Sequence, residues 1–243
     1  MSIKMSRWDK QVCPHGPLEE IGAGLWQVTG SLKRSPLPRN MVVWRTPKKS
    51  LLIHSAICLD EVSMKELDSL GPVSHVVVPC EMHRADAKAF QDRYSEATFL
   101  APACAREKVS QVISGVEDLE EGLEDLNVTL HRPAGLKDFE LHLELPLEDG
   151  SRALVMTDAL FNLAGDPPKG FGGFLVKLLG SVGPLNITKI GRRMLLENKN
   201  DYANYVRDLS KISNLSVLSV AHGQCIREDV VAELIAASER IRK

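Results

Sequence analysis

Three short apolar runs with strand character each end at a residue able to bind a metal ion. They are Val76-Val77-Val78-Pro79-Cys80-Glu81-Met82-His83, Ala153-Leu154-Val155-Met156-Thr157-Asp158 and Ser216-Val217-Leu218-Ser219-Val220-Ala221-His222-Gly223. Strands that share a sheet can end at one edge, so His83, Asp158 and His222 can converge there. Two imidazoles and one carboxylate leave open positions on a bound ion. That donor set suits either a zinc-activated water for hydrolysis or non-haem iron(II) for redox chemistry. The structural alternative is two hydrogen-bonded histidines at strand ends and an aspartate that caps a loop.

Other residues near the triplet have chemical potential of their own. Cys80 precedes His83 by three residues, where a thiolate can be a fourth ligand or an imidazole-activated nucleophile, set against plain packing. Glu81 and Asp86 flank His83 and can orient its second ring nitrogen, although solvated surface carboxylates are the simpler reading. His15, His75, His131 and His142 have no partner at an informative spacing and stay unassigned. Ser55 has no GxSxG elbow around it, which disfavours a Ser-His-Asp hydrolase. Gly170-Phe171-Gly172-Gly173-Phe174 lacks GxGxxG spacing and does not closely follow a strand, so it is not a nucleotide loop.

Composition narrows the class. The 243 residues are 44% hydrophobic, enough for one large self-sufficient domain over 1–243. A formal net charge of −2, with Lys and Arg scattered, gives no electrostatic footprint for nucleic acid, and the partner expected is a small-molecule substrate. The first residues lack the apolar core of a signal peptide, and no apolar run approaches the ~20 residues of a membrane span, so a soluble, cytoplasmic protein without a membrane partner is expected. Five cysteines, an odd number without a CxxC pair, indicate neither a disulfide framework nor a Cys-rich zinc knuckle.

The elements that must position these residues follow from periodicity. Residues 25–29, 41–45 and 50–54 read as strands separated by Gly, Pro and Lys turns, an antiparallel opening. From Asp60 the period becomes helical, with Met64, Leu67 and Leu70 on one face and Gly71-Pro72 as the stop. Strands then follow at 76–79, 98–101, 128–131, 139–145 and 153–157, with helices at 85–94, 106–113 and 193–212. A C-terminal helix carries Ile226, Val230, Leu234 and Ile241. The acidic stretch 115–125 keeps Leu119, Leu123 and Leu126 at helical spacing and reads as a solvated face. Residues 165–184 have loop composition, with an apolar patch at Phe171, Phe174 and Leu175 that would form either a lid over a ligand or a fixed helix packed on the domain. Two βα-rich halves whose sites lie at strand ends predict an α/β (α+β) fold, an αββα sandwich of two mixed sheets with helices on the outer faces.

Taken in order, Leu51-Leu52-Ile53-His54-Ser55, Leu70-Gly71-Pro72-Val73, Pro79-Cys80-Glu81-Met82-His83, Ala101-Pro102, Thr157-Asp158-Ala159-Leu160-Phe161-Asn162 and Ala221-His222-Gly223 resemble the metallo-β-lactamase fold superfamily over nearly the whole chain. More narrowly, they resemble a branch with a reduced metal-ligand set. Setting His83 on the last position of the superfamily's HxHxDH motif places Val78, Cys80 and Met82 where His, His and Asp are expected. A later histidine ligand is also missing from residues 132–138. The resemblance matches Asp158 to the metal-bridging aspartate and His222 to the final histidine. It thereby assigns His83, Asp158 and His222 to one metal position, with Asp158 and His222 in the catalytic role. His54 stands where the superfamily often has a structural aspartate, and reads as a hydrogen-bonded orienting residue. The resemblance implies a hydrolase with at most one zinc or iron ion, acting on an ester, thioester, lactone or amide carbonyl. Its alternatives are a metal-free binding module and a non-haem iron oxidoreductase.

Overall fold

In the computed structural model, which describes residues 8–33, 35–163 and 182–243, the chain opens with three antiparallel pairings. Strands β1 (Glu19–Gly22), β2 (Leu25–Leu32), β3 (Ser35–Arg45) and β4 (Leu51–His54) pair in chain order. From β4 onward the same sheet grows in parallel through β5 (Val73–Val77), β6 (Thr98–Ala101) and β7 (Val116–Asp118). Parallel neighbours need crossovers, and three helices supply them: α1 (Glu61–Ser69), α2 (Ala87–Arg93) and α3 (Ala103–Ser110). A second sheet runs in the order β13-β10-β9-β8, from β8 (Thr129–His131), β9 (His142–Pro146), β10 (Arg152–Val155) and β13 (Leu215–Ser219), with β10 and β13 parallel. A two-stranded ribbon joins β11 (Phe161–Leu163) to β12 (Gly183–Asn186).

The side-chain alternation of these strands divides the core into three layers. Leu52, Val77 and Leu100 point inward from the large sheet and meet Leu143, Leu145, Ala153, Val155 and Val217 of the smaller one. On the large sheet's other face, Ile53, Val76 and Phe99 pack under the helical Met64, Leu67 and Phe90. Leu154 and Leu218 of the small sheet pack under α6 (Lys199–Leu209) and α7 (Val230–Arg242) through Tyr202, Val206 and Leu234. Helix, sheet, sheet and helix are thus stacked as period-two strands require when both faces are covered. The predicted αββα sandwich of mixed sheets is the fold observed.

Several boundaries differ from those read in the sequence. Instead of one helix over 193–212 there are two, α5 (Lys189–Met194) and α6. Between them the chain turns aside to pair with another loop: Lys137 N–H donates to Leu195 O, and the N–H groups of Glu197 and Asn198 both donate to Gly135 O. Gly135 has φ +79, and a Cβ there would stand 2.4 Å from Asn198 O, so only glycine permits this approach. The Asn198 side chain then caps α6 by accepting from the N–H groups of Asn200 and Asp201. Helix α3 starts three residues earlier than expected, directly after Pro102. Ile226 precedes α7 and pairs by backbone hydrogen bonds with Leu218 instead. In the acidic stretch, Leu119, Leu123 and Leu126 are buried as their spacing implied, the short helix α4 (Leu119–Gly122) forms, and Val116–Asp118 contributes the unforeseen strand β7. Residues 165–181 lie outside the described residues, so the expected lid does too, and Gly183 and Pro184 begin β12. No helix among the described residues is long and apolar enough to cross a membrane.

Candidate metal centre

Two pairs of parallel strands, one pair in each sheet, deliver the chemistry. Ser55 follows β4, Cys80 and His83 follow β5, Asp158 follows β10, and His222 follows β13. Since β4 lies parallel to β5 and β10 to β13, these residues leave the C-terminal ends of paired strands. His83 closes a single 3-10 turn, Glu81–His83, whose N–H donates back to Cys80 O and so holds thiol and imidazole on one corner.

The structure brings His83, Asp158 and His222 together. Asp158 Oδ1 lies 3.0 Å from His83 Nε2 and 3.1 Å from His222 Nε2, and Asp158 Oδ2 accepts from the Cys80 thiol at 3.3 Å. Cys80, His83 and Asp158 each offer a ligand atom, all within 4.8 Å of one another. Phe161 covers His222, with ring centroids 4.5 Å apart.

The surroundings fix the protons on His222. Its Nδ1 is 2.6 Å from Pro38 O, and a carbonyl only accepts, so Nδ1 carries a hydrogen. Its Nε2 therefore faces Asp158 either as the N–H of an imidazolium or as a lone pair with a cation between them. The second state is the one in which histidines bind metals, their other nitrogen anchored to a backbone carbonyl. The loop that carries His222 is held from the large sheet: the Asn40 side-chain amide donates to Val220 O (2.8 Å) and Gly223 O (2.7 Å), and Asn40 N–H donates to Ala221 O. Gly223, at φ +116, admits this path, because a Cβ would come 2.0 Å from Asn162 O.

Charge follows burial and pairing. Burial alone would raise the Asp158 carboxyl, but His83 beside it and the hydrogen bonds from His222 and His83 hold it well below the usual range. Burial disfavours charge on His83, yet Asp158 outweighs it and raises the imidazole above its ordinary value. Burial and then the Asp158 charge push the Cys80 thiol up, so a free Cys80 is a poor nucleophile and becomes a thiolate only with a cation at hand. His54 is pushed down to about 3 by burial, with His83 adding to the effect.

Two roles read in the sequence differ in the structure. Asp86 does not orient His83 and is not a solvated carboxylate. It is buried, pairs with Arg39 Nη2 at 2.5 Å and accepts from Cys58 N–H. The ring nitrogen left over on His83 is taken by Ser55, whose Oγ is hydrogen-bonded to Nδ1, while Glu81 stays exposed. His54 is buried beside the site, but its Nε2 has no partner within the protein, so no hydrogen bond from that nitrogen does the orienting.

The sequence also left Glu140 and His142 without a role. The Glu140 carboxylate accepts from the N–H groups of Asp158 (2.7 Å) and Ala159 (3.2 Å) and is 2.8 Å from His142 Nε2, whose Nδ1 meets the Tyr205 hydroxyl at 2.8 Å. This buried chain fixes the backbone from which Asp158 projects. Glu140 lies two residues before β9 and acts on the Asp158 backbone, so no side-chain spacing marks it in the sequence.

No protein-family model matches the sequence, and no curated protein matches it. Solved structures do match. The metallo-β-lactamase FIM-1 from Pseudomonas aeruginosa, in its mono-zinc form, is 11% identical with a TM-score of 0.60 over 96% of this chain and 98% of its own. The chain has the metallo-β-lactamase fold. The DIM-1 metallo-β-lactamase exposed to ceftazidime superposes with a TM-score of 0.62 at 12% identity, over 94% of this chain and 99% of its own. A metallo-β-lactamase from Erythrobacter litoralis with β-mercaptoethanol in its active site gives 0.60 at 12%, over 92% and 96%. Of the three positions that the resemblance sets against missing His, His and Asp ligands, Cys80 alone carries a group able to bind a metal. Val78 is core, and Met82 is 69% exposed. At this edge Cys80, His83 and Asp158 offer atoms that could hold a metal ion, and His222 Nε2 lies 3.1 Å from the same Asp158 oxygen as His83.

Proposed function

We propose that the protein is a metallo-β-lactamase-fold hydrolase with a single ion, acting on a small-molecule ester, thioester, lactone or amide. The observation that carries this reading is the gathering of one thiol, one imidazole and one carboxylate within 4.8 Å, with His222 tautomerically set against the same carboxylate oxygen. His83, Asp158 and His222 would hold the ion and leave its fourth position to water, with the Cys80 thiol next to Asp158 as an exchangeable donor that favours zinc over iron(II). A zinc ion bound there supplies a water of lowered pKa and polarises a carbonyl. The chain's own residues do the rest. Glu140 fixes Asp158 through its backbone, Pro38 O fixes the His222 tautomer, and Phe161 shields the face of His222 from water. FIM-1 in its mono-zinc form is a precedent for one ion on this fold.

Elemental analysis of the purified protein, together with turnover of a panel of esters, thioesters, lactones and β-lactams before and after chelation, tests the proposal. Stoichiometric zinc and chelator-sensitive hydrolysis are expected. Stoichiometric iron would move the reading to redox chemistry, and a metal-free, inactive protein would leave a binding module.

A further inference from the structure

Ser55 completes a second arrangement around the same imidazole. Its hydroxyl is hydrogen-bonded to His83 Nδ1, and His83 Nε2 lies 3.0 Å from Asp158 Oδ1. Serine, imidazole and carboxylate thus form one hydrogen-bonded line drawn from three separate strand ends. Such relays recur on unrelated folds and are recognised by geometry and role rather than by order in the chain. Here the two ring nitrogens are used in the opposite sense from the usual one, with Nδ1 toward the serine.

The backbone supports the comparison. Ser55 has φ +61, a conformation that a residue with a Cβ keeps only when its surroundings impose it. It stands immediately after β4, and its N–H donates to Val77 O, which locks the corner. A nucleophile on a sharp corner at a strand end is the geometry of the hydrolase elbow, although no helix follows until Glu61. This is why no GxSxG pattern marks it.

We propose that Ser55, His83 and Asp158 form a nucleophilic relay, so that the ion-free protein transfers acyl groups through Ser55. The Ser55 oxygen forms a bond to the carbonyl carbon as its proton passes to His83 Nδ1, and Asp158 stabilises the imidazolium through Nε2–H. Collapse of the tetrahedral adduct breaks the bond to the leaving alcohol or thiol, which takes the proton from His83. Water then cleaves the acyl-serine with His83 as base and restores the serine hydroxyl. Ser55 is 3% exposed, and the His83 and Asp158 side chains 7% and 10%, which restricts the relay to small acyl donors such as short esters or thioesters. The relay goes beyond the zinc reading and needs the other His83 tautomer. A metal on Nε2 puts the hydrogen on Nδ1 and makes Ser55 an acceptor, whereas the relay puts it on Nε2 and makes Ser55 a donor.

A small dialkyl fluorophosphate tests this on the full chain after chelation. The Ser55 oxygen bonds to phosphorus, fluoride leaves, and peptide mass spectrometry locates the adduct. The expected result is a stoichiometric adduct on Ser55, formed at least ~100-fold faster than in the urea-unfolded protein, the usual worth of a positioned base. It should be absent from Ser55→Ala and slowed to the unfolded rate in His83→Gln, both checked for native circular dichroism. No adduct on Ser55, or one formed no faster than in unfolded chain, overturns the relay and leaves Ser55 as an acceptor that orients His83. The zinc content of the untreated protein is measured separately, so the two readings fail separately.

Discussion

The Glu140 carboxylate receives the backbone N–H of Asp158 at 2.7 Å, so the residue at the centre of the site is placed by a side chain eighteen positions earlier. Glu140→Gln keeps the shape but presents an amide N–H₂ to groups that already donate. We expect zinc affinity to fall by about 10- to 100-fold with the fold retained, as when partners of metal ligands are removed. Competition against a chromophoric chelator measures it, and an unchanged affinity would detach Glu140 from the site.

Zinc affinity should rise with pH. His83 is raised above its ordinary value by Asp158 against the opposing effect of burial, and the Cys80 thiol is pushed up by burial and then by Asp158. Each proton displaced by the ion contributes about tenfold in affinity per pH unit. Titrations between roughly pH 6 and 8 should show a slope of at least one proton, and a flat profile would remove both groups from the ligand set.

His83→Ala and His222→Ala should each empty the centre while leaving the sandwich folded, because three apolar layers, not an ion, hold the sheets together. Metal content and circular dichroism measured on the same samples decide it. Full metal content in both variants would place the ion elsewhere.

His54 should set part of the acid limb of stability. Its folded-state value is about 3 against an ordinary 6.5, with burial the main cause and His83 the next. Between those values the unfolded chain binds the proton and the folded one does not. Stability present above pH ~6.5 is therefore lost as pH falls toward ~3, by up to about 1.4 kcal/mol per pH unit. His54→Gln should flatten denaturant midpoints between pH ~6 and ~4, and an unaltered slope there would rule His54 out as the source.

The sandwich and the edge that gathers His83, Asp158 and His222 were legible because strand period and strand ends are local properties. Each of the three follows a strand whose apolar run is visible in the chain. Ser55 and Glu140 were not legible. Ser55 meets His83 across twenty-eight residues, at a corner defined by a backbone torsion. Glu140 acts on the backbone of Asp158, which no side-chain spacing reports. The break between α5 and α6 was hidden for a similar reason, because its cause is Gly135 on a distant loop.

The tether between Asn40 and the His222 loop has a mechanical consequence. His222 belongs by sequence to the small sheet, but both its ring and its loop are gripped by residues of β3 in the large one. Asp158 and His83, opposite each other across the same seam, complete a crosspiece between the sheets. Any shear of one sheet over the other must pull an imidazole off the shared carboxylate oxygen. Whatever occupies that oxygen, a pair of protons or an ion, therefore sets how firmly the two halves are fastened, and resistance to mechanical or proteolytic opening becomes a gauge of the state of the site.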